Sequence, residues 1–375
     1  MARSYLDHAS CVPLRPEGRD ALVDALTTAG ADPGRIHSEG MVARHALELA
    51  RSRVAALVGA KSRSVVFTSS ASEAIAAVCW GAAQRRAGAQ VISPVEHSAV
   101  RLAAARSATT IELGVDAHGR ISLDGLDAAL ASEPAVVHVQ WANHEVGTRQ
   151  PVADVVARCR EAGVLCHVDA AQGVGRDTID FDALGADLLS LSGPKFGGPM
   201  GTGALVVRRG VRLEPLLVGG DQERARRAGL EAVPSFAGLG AVAELLADGP
   251  RRSAEADRDA HRVEALADAL CGPDGPGGIT RLGDPVDRAP HILCVGVAGV
   301  EPQAVLLGLD QRGIAVHSGS SCATEGLEPS PVLAAMGVDA ERSLRLSVGW
   351  TTTDDDIERT AHAVTEVVAG LRSLA

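Results

Sequence analysis

Between residues 64 and 208 the chain repeatedly sets a short β-branched run ahead of an Ala-rich helical stretch. Ser64–Thr68, Gln90–Ser93, Ala135–Trp141, Val164–Asp169, Asp187–Ser192 and Gly203–Arg208 read as strands. Ala71–Arg86 and Val152–Ala162 read as helices between them. Strands and helices alternating at this spacing predict an α/β fold, a mostly parallel sheet with helices on both faces. Such sheets take ligands at the carboxyl ends of their strands. The polar residues that end these strands are therefore the candidates for chemistry.

The pattern changes after residue 234. A long Ala-rich helical stretch runs to Leu270, followed by a Gly/Pro-rich link, Gly272–Pro285. Strands are expected at Ile292–Val297, Ile314–Ser318 and Ser343–Ser347, with helices at Pro302–Arg312 and Asp354–Leu374. This reads as a second, smaller α/β domain, divided from the first near residue 250. Aromatic residues are only 2% of the chain, so Ala, Val and Leu must build the core. A net charge of −11 argues against a broad nucleic-acid-binding surface. No apolar run approaches the ~20 residues that span a bilayer. Seven cysteines without a C-x-x-C pair fit free thiols in a reducing compartment, so a cytoplasmic location is expected.

Lys195 lies in Ser192-Gly193-Pro194-Lys195-Phe196-Gly197-Gly198, just after a strand. The chain has two lysines, Lys61 and Lys195, against 34 arginines (36 − 2). A partly desolvated Lys forms an imine with an aldehyde and Arg does not, so Lys195 is a candidate covalent anchor for an aldehyde cofactor. Asp169 ends the strand of Cys166-His167-Val168-Asp169. It could pair with the ring nitrogen of pyridoxal phosphate; a helix N-cap or purely structural Asp is the alternative. His167 and Asp169 as metal ligands lack a third partner at suitable spacing. Ser69-Ser70-Ala71-Ser72 opens a helix, where backbone N–H groups favour phosphate. Glu96-His97 and Asn143-His144-Glu145 follow other strands. Cys322 sits in a loop of small polar residues, where an exposed thiol needs a reason.

Together these segments resemble the pyridoxal-phosphate-dependent cysteine desulfurases of the NifS/IscS type, over nearly the whole chain from Tyr5-Leu6-Asp7-His8-Ala9 onward. The resemblance implies the aspartate-aminotransferase fold, with residues 12–250 as the large cofactor domain on a seven-stranded sheet. Residues 1–11 and 251–375 would form the small domain. It implies pyridoxal 5'-phosphate anchored on Lys195, its ring nitrogen on Asp169, its phenolic oxygen on Gln172, and its ring under His97. Asn143 takes the place of the family's active-site Asn. Ser70, Ala71, Ser72 and Ser192 would hold the phosphate. Arg345, in Ser343-Leu344-Arg345-Leu346-Ser347, would clamp the carboxylate of L-cysteine, and Cys322 would carry the sulfur as a persulfide.

The chain departs from the family where cofactor phosphate is held. Ser70-Ala71-Ser72 replaces Gly-Ala-Thr, Pro194 replaces His, and Leu230 replaces the Thr that reaches the partner subunit's phosphate. The resemblance further implies a homodimer and a protein sulfur acceptor or scaffold. Delivery to iron–sulfur assembly, tRNA thiolation or DNA phosphorothioation is left open, with a specialised branch favoured. Another pyridoxal-phosphate enzyme of the same fold, or a degenerate scaffold, are the competing readings.

Overall fold

A computed structural model describes residues 3–318, 329–339 and 341–374. Its twelve described strands are β1 (Ser4–Tyr5), β2 (Val65–Thr68), β3 (Gln90–Ile92), β4 (Thr110–Glu112), β5 (Val136–Gln140), β6 (Leu165–Asp169), β7 (Leu188–Ser192), β8 (Gly203–Val207), β9 (Ile279–Leu282), β10 (Ile292–Val297), β11 (Ile314–Ala315) and β12 (Ser343–Ser347). Seven of them form one sheet in the order β2-β8-β7-β6-β5-β3-β4. Only β8 runs against its neighbours; the other pairs are parallel. β5 is buried along its whole length, and β6 along all but its first residue. Burial on both faces explains why Val, Leu and Cys predominate in them without alternation, His138, Gln140, His167 and Asp169 being the buried polar exceptions.

Helices cover both faces. Ala71–Arg85 starts where the Ser70 hydroxyl accepts the Glu73 N–H, and Ser98–Ser107 starts where His97 Nδ1 accepts the Ala99 N–H. Each cap satisfies an N–H that the first helical turn leaves without a partner. On the other side, Phe67 of β2 stacks on Phe236 with ring centroids 4.2 Å apart. Phe236 lies on Val233–Ala247, which packs against Ser38–Leu57 and Pro16–Thr28.

A second core gathers Leu6, Leu266, Leu293, Val295, Leu344, Leu346 and Val364. It is built on the sheet β12-β10-β9, with β1 and β11 as a parallel pair beside it. Leu6 anchors the N-terminal segment in this second core, and the next residues run back to the large sheet.

The element expectations hold to within a residue or two for most strands, with three differences. The long helical stretch is two helices, Val233–Ala247 and Gly249–Cys271, because Gly249-Pro250 interrupts the hydrogen-bond ladder. β1, β4 and β9 were not expected: β1 is only two residues long, β4 is a short, largely exposed edge strand, and β9 lies inside the Gly/Pro-rich link. The strand expected over Ile314–Ser318 is confined to Ile314–Ala315.

Gly203 pairs with both Thr68 and Ser192, so β8 passes directly under the two strand ends that open the site. A Cβ there would meet the Ser70 carbonyl carbon at 2.5 Å and Leu191 O at 2.9 Å. Both obstacles are backbone, which cannot swing aside. Gly203→Ala should therefore destabilise the fold by about 1–3 kcal/mol, read as a lower denaturation midpoint in urea. An unchanged midpoint would show that the turn at Ser70 moves freely.

Candidate active site

The strand ends converge on one cavity. Its wall includes Ser70, Ala71, Ser72, His97, Asp169, Gln172, Ser192, Lys195 and Arg345. These come from the ends of β2, β3, β6 and β7 and from the middle of β12, so the fold joins residues up to 275 positions apart (345 − 70).

Lys195 follows β7 on a single turn of 3₁₀ helix. Its Nζ donates to Ala9 O at 2.6 Å and Ser10 O at 2.9 Å. An ammonium has three N–H bonds, so one remains for the cavity. Burial, then the charges of Arg345 and Arg176, lower the Lys195 pKa to about 8. Asp169 ends β6. Its Oδ1 accepts from Ala171 N–H at 3.2 Å and lies 3.1 Å from Ser190 Oγ. Burial raises its pKa, against the opposing charges of His97 and Lys195. Its hydrogen-bond donors are neutral groups, which leaves this buried carboxylate short of a cation at the cavity.

Gln172 is fixed at both ends: Nε2 donates to Ala9 O at 2.9 Å, and Oε1 faces His291 Nε2 at 3.0 Å. One N–H of its amide stays available. The neutral His291 ring, kept so chiefly by burial, holds that orientation. His97 stands edge-to-face against His144, centroids 5.0 Å apart. Glu96, next to it, has a pKa raised to about 8 by burial and then by the charge of Asp169. Two buried carboxyls in one neighbourhood do not both ionise readily.

Arg345 is 1% exposed. It donates to His144 O, to Asp7 Oδ1 and to Ser10 Oγ at 2.8, 2.8 and 2.7 Å. Among the described residues its buried Nε–H has no partner.

Asn143 is placed differently from expectation. It does not line the cavity: its amide donates to Val95 O, and its Oδ1 accepts from the N–H groups of Glu145 and Val146. The side chain is spent on holding the turn after β5. Its neighbours Gln140, Ala142 and His144 reach the wall instead. His144 belongs to the segment singled out in the sequence, whereas Gln140, Ala142, Ser10 and the Ala9 carbonyl were missed. The N-terminal segment carried the signal, since Leu6 (0% exposed) needs burial just before Ala9 and Ser10. Cys322 lies outside the described residues.

These residues fit pyridoxal phosphate. The buried Asp169 lacks a cation, Lys195 presents a partly neutral amine, and Gly203 lets the Ser70–Ser72 helix start close over the cavity. The fold and the cavity define a class-V aminotransferase, the family whose model matches residues 4–360. Within that family the chain belongs to the pyridoxal-phosphate-dependent cysteine desulfurases of the NifS/IscS type. It is 36% identical to cysteine desulfurase IscS of Methanosarcina thermophila, over 99% of this chain and 93% of the relative. It is 38% identical to a cysteine desulfurase of Trichormus azollae, over 100% and 95%. Among solved structures, the NifS-like protein of Rickettsia africae superposes with a TM-score of 0.90 at 28% identity, covering 98% of this chain and 99% of that one. SspA in complex with cysteine gives a TM-score of 0.80 at 27% identity, covering 93% and 100%.

Proposed function

We propose that the chain converts L-cysteine to L-alanine and passes the sulfur to the Cys322 thiol, which becomes a persulfide. One observation carries this: a buried amine with a lowered pKa, a buried carboxylate without a cation and a buried guanidinium line one cavity. Bound pyridoxal phosphate would supply an aldehyde for amines and a protonated ring that takes up electrons. Lys195 tethers that group and, once released, moves the proton at the substrate Cα. Asp169 holds the ring nitrogen, and Gln172 donates its spare N–H to the phenolic oxygen. Ser70, Ala71, Ser72 and Ser192 hold the phosphate through a helix start and hydroxyls. Arg345 takes the substrate carboxylate, and His97 holds or moves the thiol proton. The overall balance is closed: cysteine and the Cys322 thiol give alanine and the Cys322 persulfide.

Residues 12–250 act as the cofactor domain in this reading, and residues 1–11 with 251–375 as the domain that brings Cys322. The altered positions Pro194 and Leu230 support a specialised sulfur-delivery branch over general housekeeping, with DNA phosphorothioation, tRNA thiolation and iron–sulfur assembly as the candidate destinations. A cytoplasmic homodimer with a protein acceptor completes it. No described helix is long and apolar enough to cross a membrane. Trp80, Leu102 and Leu216 share one exposed apolar pocket, which supports association of two copies.

Cys322→Ser tests the acceptor role. The variant should keep the cofactor's visible absorbance and lose alanine formation by about 10²-fold or more, in line with loss of an essential nucleophile. Mass spectrometry of the alkylated wild type should find the extra sulfur on Cys322. Extra sulfur on Cys11 or Cys271 instead would reassign the acceptor.

A further inference from the structure

Behind Asp169, on the side away from the cavity, a line of polar side chains crosses the large sheet. Ser190 Oγ is 3.1 Å from Asp169 Oδ1 and 3.1 Å from His167 Nε2. His167 Nδ1 is 2.9 Å from His138 Nδ1, and His138 Nε2 is 3.0 Å from Gln90 Oε1. The sheet register builds this line: His138 pairs with His167, and Asp169 pairs with Ser190. Gln90, His138, His167 and Ser190 are each 0–1% exposed. Water cannot complete these contacts, so the chain must supply every hydrogen.

The direction is set at the far end. Gln90 Nε2 donates to Cys79 O at 2.8 Å, and a carbonyl only accepts. Gln90 Oε1 therefore faces His138 as an acceptor, and His138 carries its hydrogen on Nε2. A neutral His138 then offers a lone pair at Nδ1, so His167 must carry its hydrogen there. A neutral His167 offers a lone pair at Nε2, which takes the Ser190 hydroxyl hydrogen. Ser190 has no second hydrogen to give. Its contact with Asp169 is then made only if Asp169 is the donor. Four contacts need four hydrogens, and two neutral imidazoles with one hydroxyl have three.

We propose that Ser190, His167 and His138, aligned by Gln90, hold one proton in common with Asp169 and are positioning residues that set the charge of that carboxylate. The proposal rests on reading Asp169 as the partner of the cofactor ring nitrogen. Two arrangements have the same hydrogens. In one, Asp169 is an acid and both imidazoles are neutral. In the other, the Asp169 proton has moved to Ser190 Oγ while the Ser190 proton has moved to His167 Nε2. That leaves a carboxylate and an imidazolium, with no proton exchanged with solvent.

Burial lowers the His138 pKa to about 3 and His167 well below its ordinary value, and it raises Asp169. These shifts favour the first arrangement when the cavity holds no cation. The other charges that face Asp169 are His97 and Lys195, which favour its carboxylate, and Glu96, which opposes it. At the other end the nearest titratable group is the Cys79 thiol, 3.9 Å from His138 Nε2 and pushed up to about 12 by burial. A ring cation at Asp169 tips the balance to the second arrangement.

Nitrogen-15 NMR of histidine-labelled protein tests this directly. In the cofactor-free protein, His138 should be protonated on Nε2 alone and His167 on Nδ1 alone. On loading pyridoxal phosphate, His167 should gain a proton on Nε2. The same tautomer in both rings, or no change at His167 on loading, overturns the proposal. Failure of the protein to take up the cofactor would instead sink the functional reading, while the cofactor-free tautomers would still be measured.

A variant pair separates positioning from packing. His138→Leu removes the acceptor for His167 Nδ1–H, whereas His138→Asn places an amide oxygen where Nδ1 stood. The pH midpoint of the bound cofactor's absorbance should shift by about one pH unit or more in the Leu variant and return toward wild type in the Asn variant. Equal shifts in both, or none in either, count against the shared proton. If the Leu variant does not fold, the wild-type tautomers decide.

Discussion

Lys195→Ala should abolish covalent retention of pyridoxal phosphate and lower alanine formation by about 10²–10⁴-fold, the range for a lost general acid–base group. The visible absorbance that survives dialysis reads the first effect, and amino-acid analysis reads the second. Retained absorbance without added amino acid would mean that the anchor lies elsewhere. The basis is the state of the amine. An amine attacks an aldehyde only when neutral, and burial beside Arg345 and Arg176 lowers the Lys195 pKa to about 8. At pH 7 roughly one molecule in ten then carries the neutral amine, against about one in several thousand for an ordinary lysine. Cofactor capture should therefore speed up about tenfold per pH unit below 8 and level off above it. A rate still climbing beyond pH 9.5 would contradict the buried amine. The sign for stability follows from the same shift. Between about pH 8 and 10.5 the unfolded chain holds more proton on this amine than the folded one. The cofactor-free protein should therefore gain stability from Lys195 as pH rises through that window.

The sheet and most of its cavity residues could be read from sequence because one physical rule covers both. A strand buried on both faces is a largely apolar run, and the polar residue at its carboxyl end marks where it reaches the sheet edge. Asp169, Ser192 and the Ser70–Ser72 helix start were found that way, and the cavity contains all of them. Family resemblance added Gln172, His97 and Arg345, which no periodicity singles out. Arg345 is the clearest case: a guanidinium in the middle of β12, buried to 1%, reads in sequence as a solvated arginine.

What stayed hidden depends on contacts between distant segments. Asn143 was expected at the site, yet its Oδ1 accepts from two N–H groups of its own turn, a local competition that Asn often wins, and its amide N–H reaches across to Val95 O. The Ala9 and Ser10 carbonyls that orient Lys195 are backbone atoms, which sequence does not label. His138 lies in the strand Ala135–Trp141 and was not singled out; only the register that sets it opposite His167 gives it a partner. β4 escaped notice because an exposed edge strand of three residues has neither apolar density nor alternation.

Arg345→Lys should raise the KM for L-cysteine by about 10–100-fold while changing kcat little, because a lost fork of charge-assisted hydrogen bonds is worth about 1.5–3 kcal/mol. A ground-state contact retained through the reaction affects KM and leaves kcat near its value. The lysine keeps the charge that Asp7 needs but cannot supply both N–H bonds of the fork to a carboxylate. Arg345→Ala is a different experiment. It leaves Asp7 and the His144 carbonyl without their donor, in a position where the partner guanidinium was fully enclosed. Its cost should be about 3 kcal/mol of stability on top of the KM effect, seen as a lower thermal midpoint. The two variants together separate the clamp from the brace. If Arg345→Lys binds cysteine as wild type does while Arg345→Ala is destabilised, the guanidinium holds the N-terminal segment in place and the substrate carboxylate is bound by another group on the wall, with His144 and Ser10 the nearest to it.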